Sequence, residues 1–276
     1  MQRIDRLGVL LSFVGALALA LLPLVVFKAN RIVPGEPRAL LDLVPMAALA
    51  LYFTLAVAAG VAVFIQSPRV RLLVALTGIA ALAVAVAAAA DVLTPAGNRV
   101  VRVAPGAGFW IVLIALGLLA TDALTRLRPG PALRVATLAA FLAATLAALG
   151  SGFFDDLSIM REYGVNATRF AHEARRHLLL ALGSLAAAVI VALPLGVLCH
   201  RQPRLRNAVL GVLNVVQTIP SIALFGILMA PLAAVALAFP ALAALGLSGI
   251  GAAPAAIALF LYSLLPIVGN TVVGLG

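Results

Sequence analysis

The sequence predicts an all-α integral membrane protein, and three observations predict it. Hydrophobic residues make up 64% of the 276 residues and charged residues 10%, with a mean hydropathy of +1.20. The apolar residues lie in unbroken runs of about twenty, the helix length that crosses a hydrocarbon core of roughly 30 Å. They do not alternate with polar residues, as the roughly ten-residue strands of a membrane barrel would.

About eight spans follow in order, at 7–27, 43–65, 72–90, 109–123, 133–149, 178–198, 208–229 and 255–273. The first comes after Arg3, Asp5 and Arg6. That opening is like the charged start of a secretory signal, but the run can span and has no small-residue cleavage motif, so it counts as a helix of the protein. Asp42 and Asp91 stand at span ends, where reaching the interface explains them better than a proton relay does. The fourth run is short and opens at Trp110, an interfacial aromatic. The first five runs are plain Ala, Leu and Val helices, whereas the last three carry Gly, Pro, Asn and Gln inside. No internal repeat relates the two halves.

Orientation follows from the short loops. With the N-terminus inside, the inner segments hold Arg3, Arg6, Arg69, Arg71, Arg126, Arg128, Arg134, Arg201, Arg204 and Arg206 against two acids, Asp5 and Asp122. The longer outer segments hold the other nine basic residues and seven acids. Density of positive charge in short loops sets topology, and it favours a cytoplasmic N-terminus. Residues 151–177 mix Asp155, Asp156, Arg161, Glu162, Arg169, Glu173, Arg175 and Arg176 with Phe153, Phe154, Leu157, Met160, Tyr163 and Phe170. They read as an outer amphipathic linker on the membrane surface. The chain thus divides into five N-terminal spans at 1–150, this linker, and a core at 178–276.

Several functions are excluded or disfavoured. The formal charge of +10 points to anionic lipid, not nucleic acid, because the arginines are scattered through short loops. Only Lys28 among the 19 basic residues is lysine, which with the alanine excess reads as genome composition. One cysteine, Cys199, makes no intrachain disulfide. His172 and His177 are five apart, about 140° round a helix, where a zinc helix needs four. They read as part of an interfacial basic cluster. Asn166-Ala167-Thr168 is a chance sequon, and Gly249-Ile250-Gly251 has neither the strand nor the Gly-Lys-Ser/Thr of a nucleotide loop. The spans hold no hydrolytic set and no ionisable residues for an ion-coupled carrier. No catalytic, cofactor-binding or metal-binding residue is assigned, and a conduit without such groups draws its energy elsewhere.

The informative residues are polar breaks inside apolar runs. Asn214, Gln217, Thr218, Pro220 and Ser221 interrupt the seventh span, and Tyr262, Pro266, Asn270 and Thr271 mark the eighth. Pro220 cannot donate to the carbonyl of Val216 and is expected to kink the helix. An unpaired backbone group in hydrocarbon costs several kcal/mol, so such a break belongs where the chain lines a cavity or packs on protein. Three readings stay open: local repair of freed backbone groups, polar packing in a dimer, and lining of a translocation path. Residues 231–251, with Pro231 and Pro240, read as a re-entrant or outer loop.

His177-Leu178-Leu179-Leu180-Ala181-Leu182-Gly183-Ser184 with Ala192-Leu193-Pro194-Leu195-Gly196 resembles the first core helix of binding-protein-dependent ABC importer permeases. Asn214-Val215-Val216-Gln217-Thr218-Ile219-Pro220-Ser221 and the stretch Ala256 to Thr271, with Tyr262-Ser263-Leu264-Leu265-Pro266, resemble the osmoprotectant branch, which takes up glycine betaine, choline and carnitine. The resemblance covers about 176–276; some bacterial members carry extra N-terminal helices such as 7–149. Two departures stand out. Gly269 replaces the family's Arg before Asn270, and the family's cytoplasmic Glu-Ala-Ala coupling helix should follow Thr271, whereas the sequence stops at Gly276. With no charged or aromatic cap on the last span, the chain is expected to be a fragment.

The resemblance implies a permease subunit in a bacterial inner membrane, paired with a second permease copy, a separate ATPase that binds ATP, and an external substrate-binding protein. Quaternary amines are held by aromatic cages. The core helices offer mainly Tyr262, Phe225 and Phe260, so selection is expected in the binding protein. A permease for another small solute such as an amino acid, an ion-coupled secondary carrier and a membrane scaffold are the competing readings.

Overall fold

The computed structural model describes residues 4–244 and 246–276; Arg3 of the inner arginines and Leu245 of the expected 231–251 loop lie outside the described residues. The chain divides into two compact units, Met1–Asn166 and Ala167–Gly276. Among the described residues, seven helices are long and apolar enough to cross a membrane, and an eighth apolar helix, Arg6–Leu21, is shorter. Among the described residues the fold is all-α with one small sheet.

In the first unit α1 (Arg6–Leu21) leads into β1 (Val25–Lys28) and β2 (Glu36–Arg38). Then come α2 (Leu40–Leu43), α3 (Pro45–Phe64), α4 (Pro68–Leu93), β3 (Arg102–Pro105), α5 (Ala107–Leu127) and α6 (Pro131–Gly150). Pro45, Pro68 and Pro131 each open a helix, where the missing N–H costs nothing. α1 packs on α3 and α5, and α4 packs on α3 and α5. Lipid gives no hydrophobic drive between helices, so close approach comes from small residues. The buried positions bear this out: Ala48, Ala58, Ala62, Ala75, Ala85, Ala89, Ala115 and Ala123 all sit at helix interfaces. The alanine excess therefore has a packing role that composition alone does not reveal. α6 has no buried residue.

The sheet is a finding the sequence did not predict. Its order is β2-β1-β3, all antiparallel, with Val25 opposite Arg38 and Pro105. The chain leaves α1 at Leu21, ahead of Pro23, and residues 25–28 pair as a strand, so the expected first span 7–27 is shortened. The fourth helix, expected at 109–123, runs longer, over Ala107–Leu127.

Residues 158–177 also differ from expectation. They are continuous with the sixth span in α7 (Ser158–Arg201). Only 151–157 precede the helix, which crosses the unit boundary at 166/167. The first turns of α7 are tied to the loops of the first unit. Ser158 Oγ donates to Val103 O at 2.7 Å, Arg161 Nη1 to Asn98 O at 2.7 Å, and Glu162 accepts from Arg31 Nε at 2.9 Å and Arg102 Nε at 2.8 Å.

The second unit holds the rest of α7, then α8 (Pro203–Thr218), α9 (Ser221–Ala238), α10 (Pro240–Ala244) and α11 (Ala252–Leu275). α7 buries Ser184, Ala188, Ala192, Gly196 and Cys199, spaced three or four apart along one face. Of these, Ala188, Ala192 and Cys199 pack in one cluster with Leu213 of α8 and Leu264, Val268 and Val272 of α11. Two expectations are corrected here. The span 208–229 is two helices, because Pro220 offers no N–H and forces the residue before it out of helical geometry; Ile219 sits at φ −73°, ψ 123°. The loop expected at 231–251 is helical at first: α9 runs through Pro231 to Ala238 before Pro240 opens α10.

Candidate functional site

The polar breaks of α8 and α11 meet. Pro220 removes the donor that Val216 O would have used, and the N–H of Ile219 takes its place at 3.2 Å. Ile219 stands outside both helices, which leaves its carbonyl without a helical partner; the hydroxyl of Tyr262 donates to it at 2.6 Å. On α11, Pro266 lies four residues after Tyr262, so the Tyr262 carbonyl also loses its helical donor. The side-chain amide of Gln217 donates to that carbonyl at 2.9 Å. The carbonyl that Pro266 orphans is satisfied from α8, and the Ile219 carbonyl left outside both helices at the Pro220 break is satisfied from α11. Gln217 and Tyr262 form a reciprocal latch.

The other expected site residues fall around this latch. Thr218 Oγ1 donates to Val215 O at 2.7 Å, a purely local repair. Ser221 opens α9 and is exposed, and Asn214 is exposed on α8. Tyr262, Pro266 and Asn270 recur every four residues on one stripe of α11, two positions or about 200° from the buried Leu264, Val268 and Val272. Pro266 and Asn270 are exposed. The stripe therefore turns away from the packed core of its own unit and offers an exposed amide, Asn270, that has no hydrogen-bond partner among the described residues.

Two close approaches in the second unit depend on glycine, one at α11 and one at the loop before it. A Cβ on Gly196 would fall 2.7 Å from Thr271 Cβ, so glycine there lets α7 and α11 touch. This brings the Pro-Leu-Gly and Asn-Thr segments together. Gly249, which lacked a nucleotide-loop context, instead approaches α9: a Cβ there would fall 2.4 Å from Met229 O.

The first unit has a polar cluster whose members the sequence reading counted separately as loop charges. Asp5 caps α1 by accepting from Gly8 N at 2.8 Å, and its other oxygen accepts from Arg71 Nη1 and Arg126 Nη2, each at 2.8 Å. Asp122 accepts from Arg126 Nε at 3.0 Å and lies 3.3 Å from Arg71 Nη2. Arg71 is fully buried. Hydrogen bonding from Arg71, above all, and from Gly8 N–H and Arg126 holds the Asp5 carboxyl well below the usual carboxylate range, against the opposing cost of burial. The only sequence signal was that the two inner acids, Asp5 and Asp122, sit beside arginines at span ends.

The chain is 39% identical over 99 residues to the carnitine transport permease protein OpuCB of Listeria monocytogenes, covering 36% of this chain and 38% of that protein. It is 44% identical over 106 residues to the osmoprotectant import permease protein OsmW of Salmonella typhimurium, covering 38% and 44%. Over 113 residues it is 37% identical to the glycine betaine/carnitine/choline permease protein OpuCD of Bacillus subtilis, covering 41% and 42%. The matched stretch thus spans less than half the length of each of these relatives. No solved structure matches the chain. Residues 5–160, more than half of the sequence and nearly all of the first unit, match the family described as ABC transporter permease YehY, N-terminal domain, and the chain belongs to that family.

Proposed function

We propose that the protein is the membrane-spanning permease subunit of an ATP-driven importer for small osmoprotectants of the glycine betaine, choline and carnitine class. The observation that carries this reading is 37–44% identity to permeases named for those solutes. The site residues of the second unit fit it. A proline break on each of two helices, cross-braced by Gln217 and Tyr262, lets backbone change direction at membrane depth without orphaned groups. In this reading the stripe Tyr262, Pro266 and Asn270, with Asn214, Thr218, Pro220 and Ser221, faces the translocation path or a second permease copy. ATP is bound by a partner ATPase, an external binding protein selects the solute, and the N-terminus lies on the cytoplasmic side of a bacterial inner membrane.

The test is uptake of labelled glycine betaine by proteoliposomes holding the full-length gene product, its ATPase and its binding protein. ATP-dependent accumulation, lost on mutation of the ATPase's phosphate-binding lysine, is the expected result. Accumulation driven by a proton gradient without the ATPase would replace this reading with a secondary carrier. ATP-driven uptake of amino acids but not of quaternary amines would keep the importer and change the solute.

A further inference from the structure

We propose that the cleft between α1, α3 and α5 holds one acyl chain of an anionic phospholipid whose headgroup rests on the arginine-rich end of the first unit. The cleft is open along one side and has a volume of about 250 Å³, with walls formed by Leu11, Gly15 and Leu19 of α1, Ala59 of α3, and Ala115 and Leu119 of α5. Ser12 and Tyr52 bring the hydroxyls of its lining, and Ser12 Oγ already lies 3.4 Å from Ala59 O. An apolar cavity stays dry and takes an apolar guest; one of roughly 150 Å³ accepts benzene. This one is larger, and from Leu11 to Leu19 it follows about 12 Å of helix. Small side chains make the room. A Cβ on Gly15 would meet no atom within 4 Å.

Charge selects the guest. The Leu11 and Leu119 end of the cleft points toward the start of α1 and the end of α5, which the Asp5–Arg126 bond brings together. At that end Arg6, Arg69 and Arg128 are exposed. Arg6 is five residues from Leu11, about 7.5 Å of rise. The two acids nearby, Asp5 and Asp122, are already bonded to Arg71 and Arg126, so they do not offset the exposed arginines. A groove for a chain that ends at exposed guanidinium groups is complementary to a lipid with an anionic phosphate headgroup. This inference concerns the first unit and does not rest on the transport reading.

The test uses the full chain in nanodiscs of equal phosphatidylglycerol and phosphatidylcholine, released into detergent and weighed by native mass spectrometry. The wild type is expected to keep one phosphatidylglycerol. Gly15→Leu fills the cleft and is expected to lose it. Gly117→Leu, also placed where a Cβ meets nothing but outside the cleft wall, is expected to keep it. Arg6→Gln with Arg128→Gln should cut the preference for phosphatidylglycerol over phosphatidylcholine at least threefold. Equal retention by Gly15→Leu and wild type overturns the cleft. Equal retention of the two lipids by the wild type, which needs no variant to fold, overturns the headgroup site. Retention of a free fatty acid in place of phospholipid overturns the phospholipid assignment.

Discussion

Gln217 and Tyr262 satisfy each other's broken helices. The Gln217 amide donates to the Tyr262 carbonyl that Pro266 orphans, and the Tyr262 hydroxyl donates to the Ile219 carbonyl at the Pro220 break. Neither residue is buried: Gln217 is exposed and Tyr262 half-buried. The latch therefore lies at the edge of the helix packing, where a change in the spacing of α8 and α11 would open it first.

Gln217→Leu removes one arm of the latch. A hydrogen bond between membrane helices is worth about 0.6–2 kcal/mol, a loss the fold should survive. Membrane insertion and expression should stay at wild-type levels, while coupled uptake in the complete transporter changes. Wild-type uptake would reduce the latch to local helix repair.

Tyr262→Phe removes the other arm and leaves the ring. The α8–α9 junction at 219–220 should exchange amide hydrogens faster around Ser221 to Leu224. Because both arms bridge one junction, the double variant with Gln217→Leu should destabilise by less than the sum of the single effects, by at least ~0.5 kcal/mol. Strict additivity in unfolding measurements would show that the two bonds act independently.

Gly196→Val should separate α7 from α11, because even a Cβ would lie 2.7 Å from Thr271 Cβ. Overpacking of this kind costs about 1–3 kcal/mol. Thr271→Gly opens the same space and should restore part of the lost melting temperature in the double variant. No restoration would mean that the two helices are held apart by some other contact.

Asp5→Asn should cost about 1–3 kcal/mol, because it removes the closer of the two carboxylates that face the buried Arg71 guanidinium and leaves only Asp122, 3.3 Å away. The effect depends on pH in a defined direction. Asp5 titrates lower in the folded protein than in the unfolded chain, where an aspartate has a pKa of about 3.9. Its contribution is therefore complete above about pH 5 and is lost as pH falls through the folded value. Unfolding scans should show a constant gap between wild type and variant from pH 6 to 8, narrowing below pH 4. A gap that widens on acidification would contradict the assigned pairing.

Topology can be read with a thiol. Cys199 is fully buried, so it is a poor reporter from either side. Gln202, three residues on, is exposed between α7 and α8. In a Cys199→Ser background, Gln202→Cys should resist membrane-impermeant thiol reagents in intact cells and react in inverted vesicles. Ready labelling from outside would reverse the orientation of the whole chain.

The sequence by itself determined that this is a multi-span helical membrane protein, and where most spans lie. Hydropathy is a local property, and each span must satisfy its own backbone hydrogen bonds in lipid. It also singled out the breaks at Pro220 and Pro266, because a proline removes a donor whatever surrounds it. Its errors came where a partner distant in sequence decides. Residues 25–28 left the first span because Glu36–Arg38 and Arg102–Pro105 supply strand partners. Residues 158–177 became part of α7, their first turns held by Val103, Arg31 and Arg102. Asp5 and Asp122, counted as loop charges, are bonded to Arg71 and Arg126 because antiparallel helices bring their ends together. Gln217 was legible as a polar residue in the wrong solvent, but its partner was not. A freed carbonyl accepts from whichever donor packing delivers, and only the tertiary structure brought the amide of α8 to the carbonyl of Tyr262.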